Sequence, residues 1–194
     1  MFATRFRRIV TLHSVLALAC VASAAAQTAS NAPRERFSAV AVNTSTVGRT
    51  GATVVDITIN RWTSDADRDK LVTVFKEKGE KALLSALQDQ KPVGTINTPG
   101  NIAYDLRYAR QLPTAEGGRR IILATDRPMG FWEASNRPRS ADYPFTLIEM
   151  RIDKDGKGEG KLSYATKLTL ENNTLVIENY ANQPVMLNEI KQKK

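Results

Sequence analysis

Between Thr53 and Trp62 the chain alternates, with Val55, Ile57 and Ile59 apolar and Asp56, Thr58 and Asn60 polar. A period of two predicts a strand with one buried face. Phe37–Val42 is the preceding strand candidate, and the polar run Asn43–Ala52 between the two is turn material. The period then lengthens. Leu71, Val74 and Phe75 form a helical stripe behind Ser64, which can cap the helix with Asp67 three residues on. Asp65, Asp67 and Asp69 sit at the positive end of the helix dipole. Gly79 is expected to interrupt this helix, Ala82–Leu87 to resume it with Leu83, Leu84 and Leu87 inward, and Pro92 to end it.

From Val93 the alternation returns. Val93–Asn97 is a short strand and Pro99-Gly100 a turn. In Ile102–Arg110 the residues Ile102, Tyr104, Leu106 and Tyr108 share one face, with Asp105 and Arg107 opposite. Ile121–Thr125 is apolar on both faces and therefore central. Phe145–Ile152, Lys161–Leu170, Thr174–Glu178 and Val185–Ile190 complete the set, with Asn172-Asn173 as a tight turn. Leu162, Tyr164, Leu168 and Leu170 share a face with Thr166. Eight or nine strands in a meander must curl, stack or close. The expected fold is α+β: a mostly antiparallel, strongly curved sheet or partial β-barrel of about eight strands, with one inserted helical pair covering a face or an open end.

The amino end changes the picture. Arg5, Arg7 and Arg8 precede an apolar run from Ile9 to Ala22, followed by Ala24-Ala25-Ala26, which reads as a secretory signal peptide over residues 1–26. Residues 27–36 read as a flexible lead-in, 37–190 as a single β-rich domain and 191–194 as a solvated basic tail. The single cysteine, Cys20, and the single histidine, His13, both fall in the leader. Its removal leaves a chain with no disulfide, no thiol nucleophile, no histidine base and no Cys/His zinc site. The leader carries three arginines and no acid, so the formal charge falls from +8 to +5, too small a surplus to argue for nucleic acid. No integral membrane span is expected after cleavage, and the protein is expected in the periplasm or secreted.

Candidate chemistry concentrates between Arg119 and Asp153, where a buried strand, a long irregular segment and a returning strand follow one another. Arg127, Arg137 and Arg139 alternate there with Phe131, Trp132 and Tyr143, while Pro128, Pro138 and Pro144 stiffen the path. Guanidinium groups suit carboxylates and phosphates, and aromatic rings accept stacking. These six residues are the candidate ligand-binding set. The competing structural reading makes Phe131 and Trp132 core plugs and pairs the arginines with carboxylates. An enzyme would have to use a carboxylate pair, with Asp126 and Glu133 bracketing the aromatic segment and Asp105 and Asp142 as further candidates. Neither aspartate-rich run completes a calcium loop. After Asp65, Lys70 and Lys76 stand where glycine and glutamate are required; after Asp153, Tyr164 takes the place of the bidentate acid. No metal and no cofactor are expected, and DKDGKGEG (Asp153–Gly160) reads as a hairpin loop.

The segments YDLRYAR (Tyr104–Arg110), ATDRPMGFWEASNRPRSADYPFTLIEMR (Ala124–Arg151) and GKGEGKLS (Gly156–Ser163) resemble a group of uncharacterised exported bacterial proteins. The resemblance extends from about Trp62 onward. It implies a bacterial source and a periplasmic or secreted site, and it implies no activity. The function expected is a binding or structural-interaction module, more a binder than an enzyme, for an anionic envelope ligand such as a lipid head group or glycan. The alternative is a carboxylate hydrolase of envelope glycans or esters.

Overall fold

The computed structural model describes residues 34–45, 50–100, 102–128, 142–171, 174–179 and 183–193. The first alternating segments form a hairpin, β1 (Glu35–Asn43) with β2 (Gly51–Ile59), in which Glu35 faces Ile59 and Asn43 faces Gly51. One helical element, α1 (Asp65–Gln88), follows. The remaining strands are β3 (Gly94–Asn97), β4 (Tyr104–Leu106), β5 (Tyr108–Pro113), β6 (Arg119–Ala124), β7 (Phe145–Ile152), β8 (Lys157–Glu171), β9 (Thr174–Asn179) and β10 (Val185–Lys193). All pairings are antiparallel, in the order β4-β3-β2-β1-β10-β8-β7-β6-β5, with β9 attached to β8.

The two ends of that order are consecutive pieces of one extended stretch. β4 pairs with β3, β5 pairs with β6, and Arg107 alone separates them. The Val93 amide donates to the Leu106 carbonyl at 2.8 Å and the Arg107 amide to the Ala124 carbonyl at 2.9 Å, so pairing passes from one neighbour to the other at this residue. The sheet is thus a nearly closed barrel in which β4 and β5 act as one stave. Every stave of the circuit sends side chains into one core: Phe37, Ile57, Ile96, Leu106, Ile121, Leu123, Ile148, Met150, Tyr164 and Leu187 are all buried there. A circuit of about eight staves leaves an interior that side chains can fill.

The opposite surface of part of the wall is also apolar. Tyr108, Phe145, Leu147 and Leu168 point outward and receive Leu71, Phe75, Leu83, Leu84 and Leu87 of α1. The helix therefore lies on one outer face. Ser64 caps it, its Oγ accepting from the Asp67 amide at 3.1 Å and donating to the Asp67 carboxylate at 2.8 Å. Thr63 at its entry donates from its amide to the Ala109 carbonyl at 2.8 Å.

Several expectations need correction. The fold is mainly β, with ten strands among the described residues; the predicted Ile102–Arg110 strand breaks at Arg107 into two of them. The break also reverses the faces. Tyr104 and Leu106 are interior, Ala109 takes the next interior place, Tyr108 turns outward beneath the helix, and Ile102 is 85% exposed. The expected helical pair is one element whose backbone leaves helical geometry at Gly79 (φ 76°, ψ −169°). The common face expected of Leu162 to Leu170 also divides. An extra β8 residue between Leu147↔Ser163 and Phe145↔Thr166 shifts the register, so Leu162 and Tyr164 stay interior while Leu168 faces the helix. Glu35 and Arg36 belong to β1, not to a lead-in, and Lys191–Lys193 continue β10. Asp153–Gly156 is a tight hairpin, with the Asp153 carboxylate accepting from the Asp155 and Lys157 amides at 2.9 Å each.

Candidate functional site

The carbonyl end of β6 and the amino end of β7 meet at one rim of the barrel, and the candidate segment leaves and re-enters there. Asp126, Arg127 and Pro128 form its outgoing flank, and Asp142, Tyr143 and Pro144 its returning flank. Phe131, Trp132, Glu133, Arg137 and Arg139 lie outside the described residues. Two fully buried threonines hold the flanks together. The Thr125 amide donates to the Thr146 carbonyl at 3.1 Å, and the Thr146 amide to Thr125 Oγ1 at 3.2 Å. The Thr125 hydroxyl donates to the Arg127 carbonyl. The Thr146 hydroxyl shares its proton between that carbonyl at 3.2 Å and the Tyr164 carbonyl at 2.9 Å. Buried hydroxyls satisfied in this way fix the Arg127 backbone to the core.

From that seat the neighbouring charges diverge. The Arg127 guanidinium lies over the Tyr104 ring, 4.6 Å from its centroid, a cation–π contact worth about 0.5–2 kcal/mol depending on desolvation. Asp126 instead meets Arg107, Oδ2 to Nε at 3.1 Å, with both side chains mostly withdrawn from solvent. Arg107 also donates to the Gln90 carbonyl at 2.8 Å and lies 3.5 Å from Asp105. The residue at the β4–β5 break therefore ties together the end of α1, the barrel seam and the outgoing flank. Asp126 and Asp105 both face Arg107.

No family model, curated protein or solved structure matches this chain.

On the returning flank, Tyr143 packs against the barrel core and donates its hydroxyl to Glu178 on β9. Nearby, Glu80 of α1 accepts from the Leu168 amide at 2.6 Å. Burial raises the Glu80 pKa above the ordinary carboxylate value; the Leu168 hydrogen bond and Lys167 oppose the shift, and Asp142 and Glu178 add to it. Arg119 and Arg120, at the start of this stretch, do not converge with Arg127. They begin β6 at the far end, where Arg119 meets Glu35 of β1 and Arg120 meets Glu149 of β7. Among the described candidates, Arg127, Tyr143, Asp126 and Asp142 share a rim: Arg127 lies over Tyr104, Tyr143 bonds Glu178 and Asp126 pairs with Arg107. Sequence reasoning missed Tyr104, Thr125, Thr146 and Glu80 as parts of this region. Threonines in a strand read as β-formers, and nothing in their spacing announces a clamp.

Proposed function

We propose that the protein is a binding or structural-interaction module of the bacterial envelope that recognises an anionic ligand, a lipid head group or an acidic glycan, at this rim. Arg127, Arg137 and Arg139 supply the positive charge, and Phe131, Trp132 and Tyr143 supply ring faces for the rest of the ligand. The observation that carries the reading is the seat of Arg127. Its carbonyl is held by two buried threonine hydroxyls and its guanidinium is supported by a ring, which positions a cation in advance at low entropic cost. The barrel interior is filled by its own side chains, which favours recognition at the rim over an enclosed calyx. The pairing of Asp126 with Arg107 at 3.1 Å favours a structural role for that carboxylate over the hydrolase reading.

The double change Arg127→Gln with Arg137→Gln tests the proposal. Losing a charged hydrogen-bonding partner costs about 1.5–3 kcal/mol per contact, so sedimentation with anionic vesicles or retention on an acidic glycan should fall by at least an order of magnitude. The melting temperature should change little. Failure of the wild type to bind either probe, with a large loss of stability in the double variant, would leave the segment a structural connector.

A further inference from the structure

We infer that Glu80 is a proton-operated latch that docks α1 onto the β8–β9 hairpin more firmly as the medium becomes acidic. The geometry begins with a strand that outruns its neighbour. β7 pairs with β8 only as far as Phe145↔Thr166, yet β8 continues to Glu171 with β9 on its other edge. Beyond Thr166, therefore, no strand among the described residues meets the β7-side backbone of β8. Glu80 fills that place, its Oε1 accepting from the Leu168 amide at 2.6 Å, while Leu168 packs with Leu71, Leu83 and Leu87 of the helix. A carboxylate thus substitutes for a strand carbonyl at the point where the helix meets the hairpin.

The surroundings make this contact sensitive to protons. The groups facing Glu80 are Lys167 on β8, Asp142 on the returning flank and Glu178 on β9, so two like charges oppose one unlike charge in a partly desolvated site. Glu178 is itself bonded by the Tyr143 hydroxyl, which keeps it in place. While Glu80 is ionised, its hydrogen bond is made against burial and repulsion. Once protonated, it still offers a carbonyl oxygen to Leu168 and gains an O–H to offer to the carboxylates that had repelled it. The sign follows from linkage. A carboxyl whose pKa is higher in the docked state than in the open state binds its proton more tightly when docked. Docking is therefore favoured below the open-state value and loses that advantage as pH rises through the docked-state value.

Hydrogen exchange followed by mass spectrometry on the full chain tests this, with rates corrected for intrinsic pH dependence, from the ordinary carboxylate range up to neutrality. In the wild type, protection of the Leu168 amide and of the β8–β9 hairpin should increase on acidification, following a single proton. In Glu80→Gln, which keeps the acceptor but cannot ionise, protection should be high and flat. Glu178→Gln should move the wild-type midpoint to lower pH, and Lys167→Gln should move it to higher pH. Flat wild-type protection, protection that falls on acidification, or a Glu80→Gln variant that retains the wild-type pH response would each overturn the latch. If Glu80→Gln does not fold, the opposite shifts in Glu178→Gln and Lys167→Gln decide the matter; no shift in either refutes it.

Discussion

Replacing Gly79 by alanine separates two descriptions of α1 by the sign of the effect. A straight helix of 24 residues would be about 36 Å long, at 1.5 Å per residue. Its entry and exit are instead bound to one short stretch of the sheet. Thr63 donates to Ala109 and Asp65 pairs with Arg110, while Gln90 accepts from Arg107 and Val93 donates to Leu106. Leu106 and Ala109 are about 10 Å apart along an extended chain, so the helix must bend back on itself, and Gly79 is where its backbone permits it. The conformation there, φ 76° and ψ −169°, belongs to a region essentially reserved for glycine. Nothing lies within 4 Å of an added Cβ, so the cost of alanine is backbone strain and not collision. That strain is about 1–3 kcal/mol. In a regular helix the same change would stabilise by about 1 kcal/mol. For a domain of this size each kcal/mol moves the melting temperature by roughly 2–4 °C. Gly79→Ala should therefore melt about 2–12 °C lower, while Glu77→Ala, on the exposed surface two residues earlier, should stay within about 0.5 kcal/mol of the parent. Calorimetry or urea denaturation decides it. A Gly79→Ala protein as stable as the parent, or more stable, would mean that the helix is not bent in this way.

At the end of the barrel opposite the candidate rim, Arg119 of β6 reaches Glu35 of β1, donates to the Gln111 and Gln192 side-chain oxygens, and lies 5.6 Å over the Phe37 ring. Arg119→Ala should cost about 2 kcal/mol by urea denaturation, below the range for a fully buried pair because both side chains retain some exposure, and Glu35→Gln on that background should recover part of it; no loss in the single variant would show that the pair adds nothing to closure. Gly158 sits where an added Cβ would come within 1.8 Å of the Arg151 carbonyl oxygen, so Gly158→Ala must push β7 from β8 and should destabilise by about 1–3 kcal/mol, and a melting temperature unchanged within error would contradict that crowding.

The strands were readable because period-two alternation reports directly on which side chains meet the core. Nine segments located by alternation or as a continuous apolar run became strands, and the helix cap at Ser64 and the break at Gly79 were visible in residue type alone. What could not be read was where the alternation changes hand. At Arg107 and within Ser163–Thr166 a local irregularity turns the next side chain to the other surface, and apolar residues lie on both surfaces because the helix covers the outside. Tyr108 and Leu168 are apolar under either assignment, so hydrophobicity was silent. The site divides in the same way. Arg127 and Tyr143 were legible as a cation and a ring beside prolines. The partner of Asp126 was not, because Arg107 is 19 residues away in sequence and reaches it only through barrel closure.

The junction of β1 with β10 also bears on how the barrel is assembled. Each pairing from β5 to β8 joins strands that follow one another in the chain; the β1–β10 seam joins Arg36 to Lys193 and closes most of the chain. Loop-closure entropy rises with separation, and contacts of this span form slowly unless the intervening chain is already compact. The meander is therefore expected to form first and to template the amino-terminal hairpin with its helix. Valine-to-alanine changes at Val55 in β2 and isoleucine-to-valine at Ile148 in β7 report on the two halves: the first should accelerate unfolding, the second should slow folding, and the reverse assignment would place the nucleus at the seam.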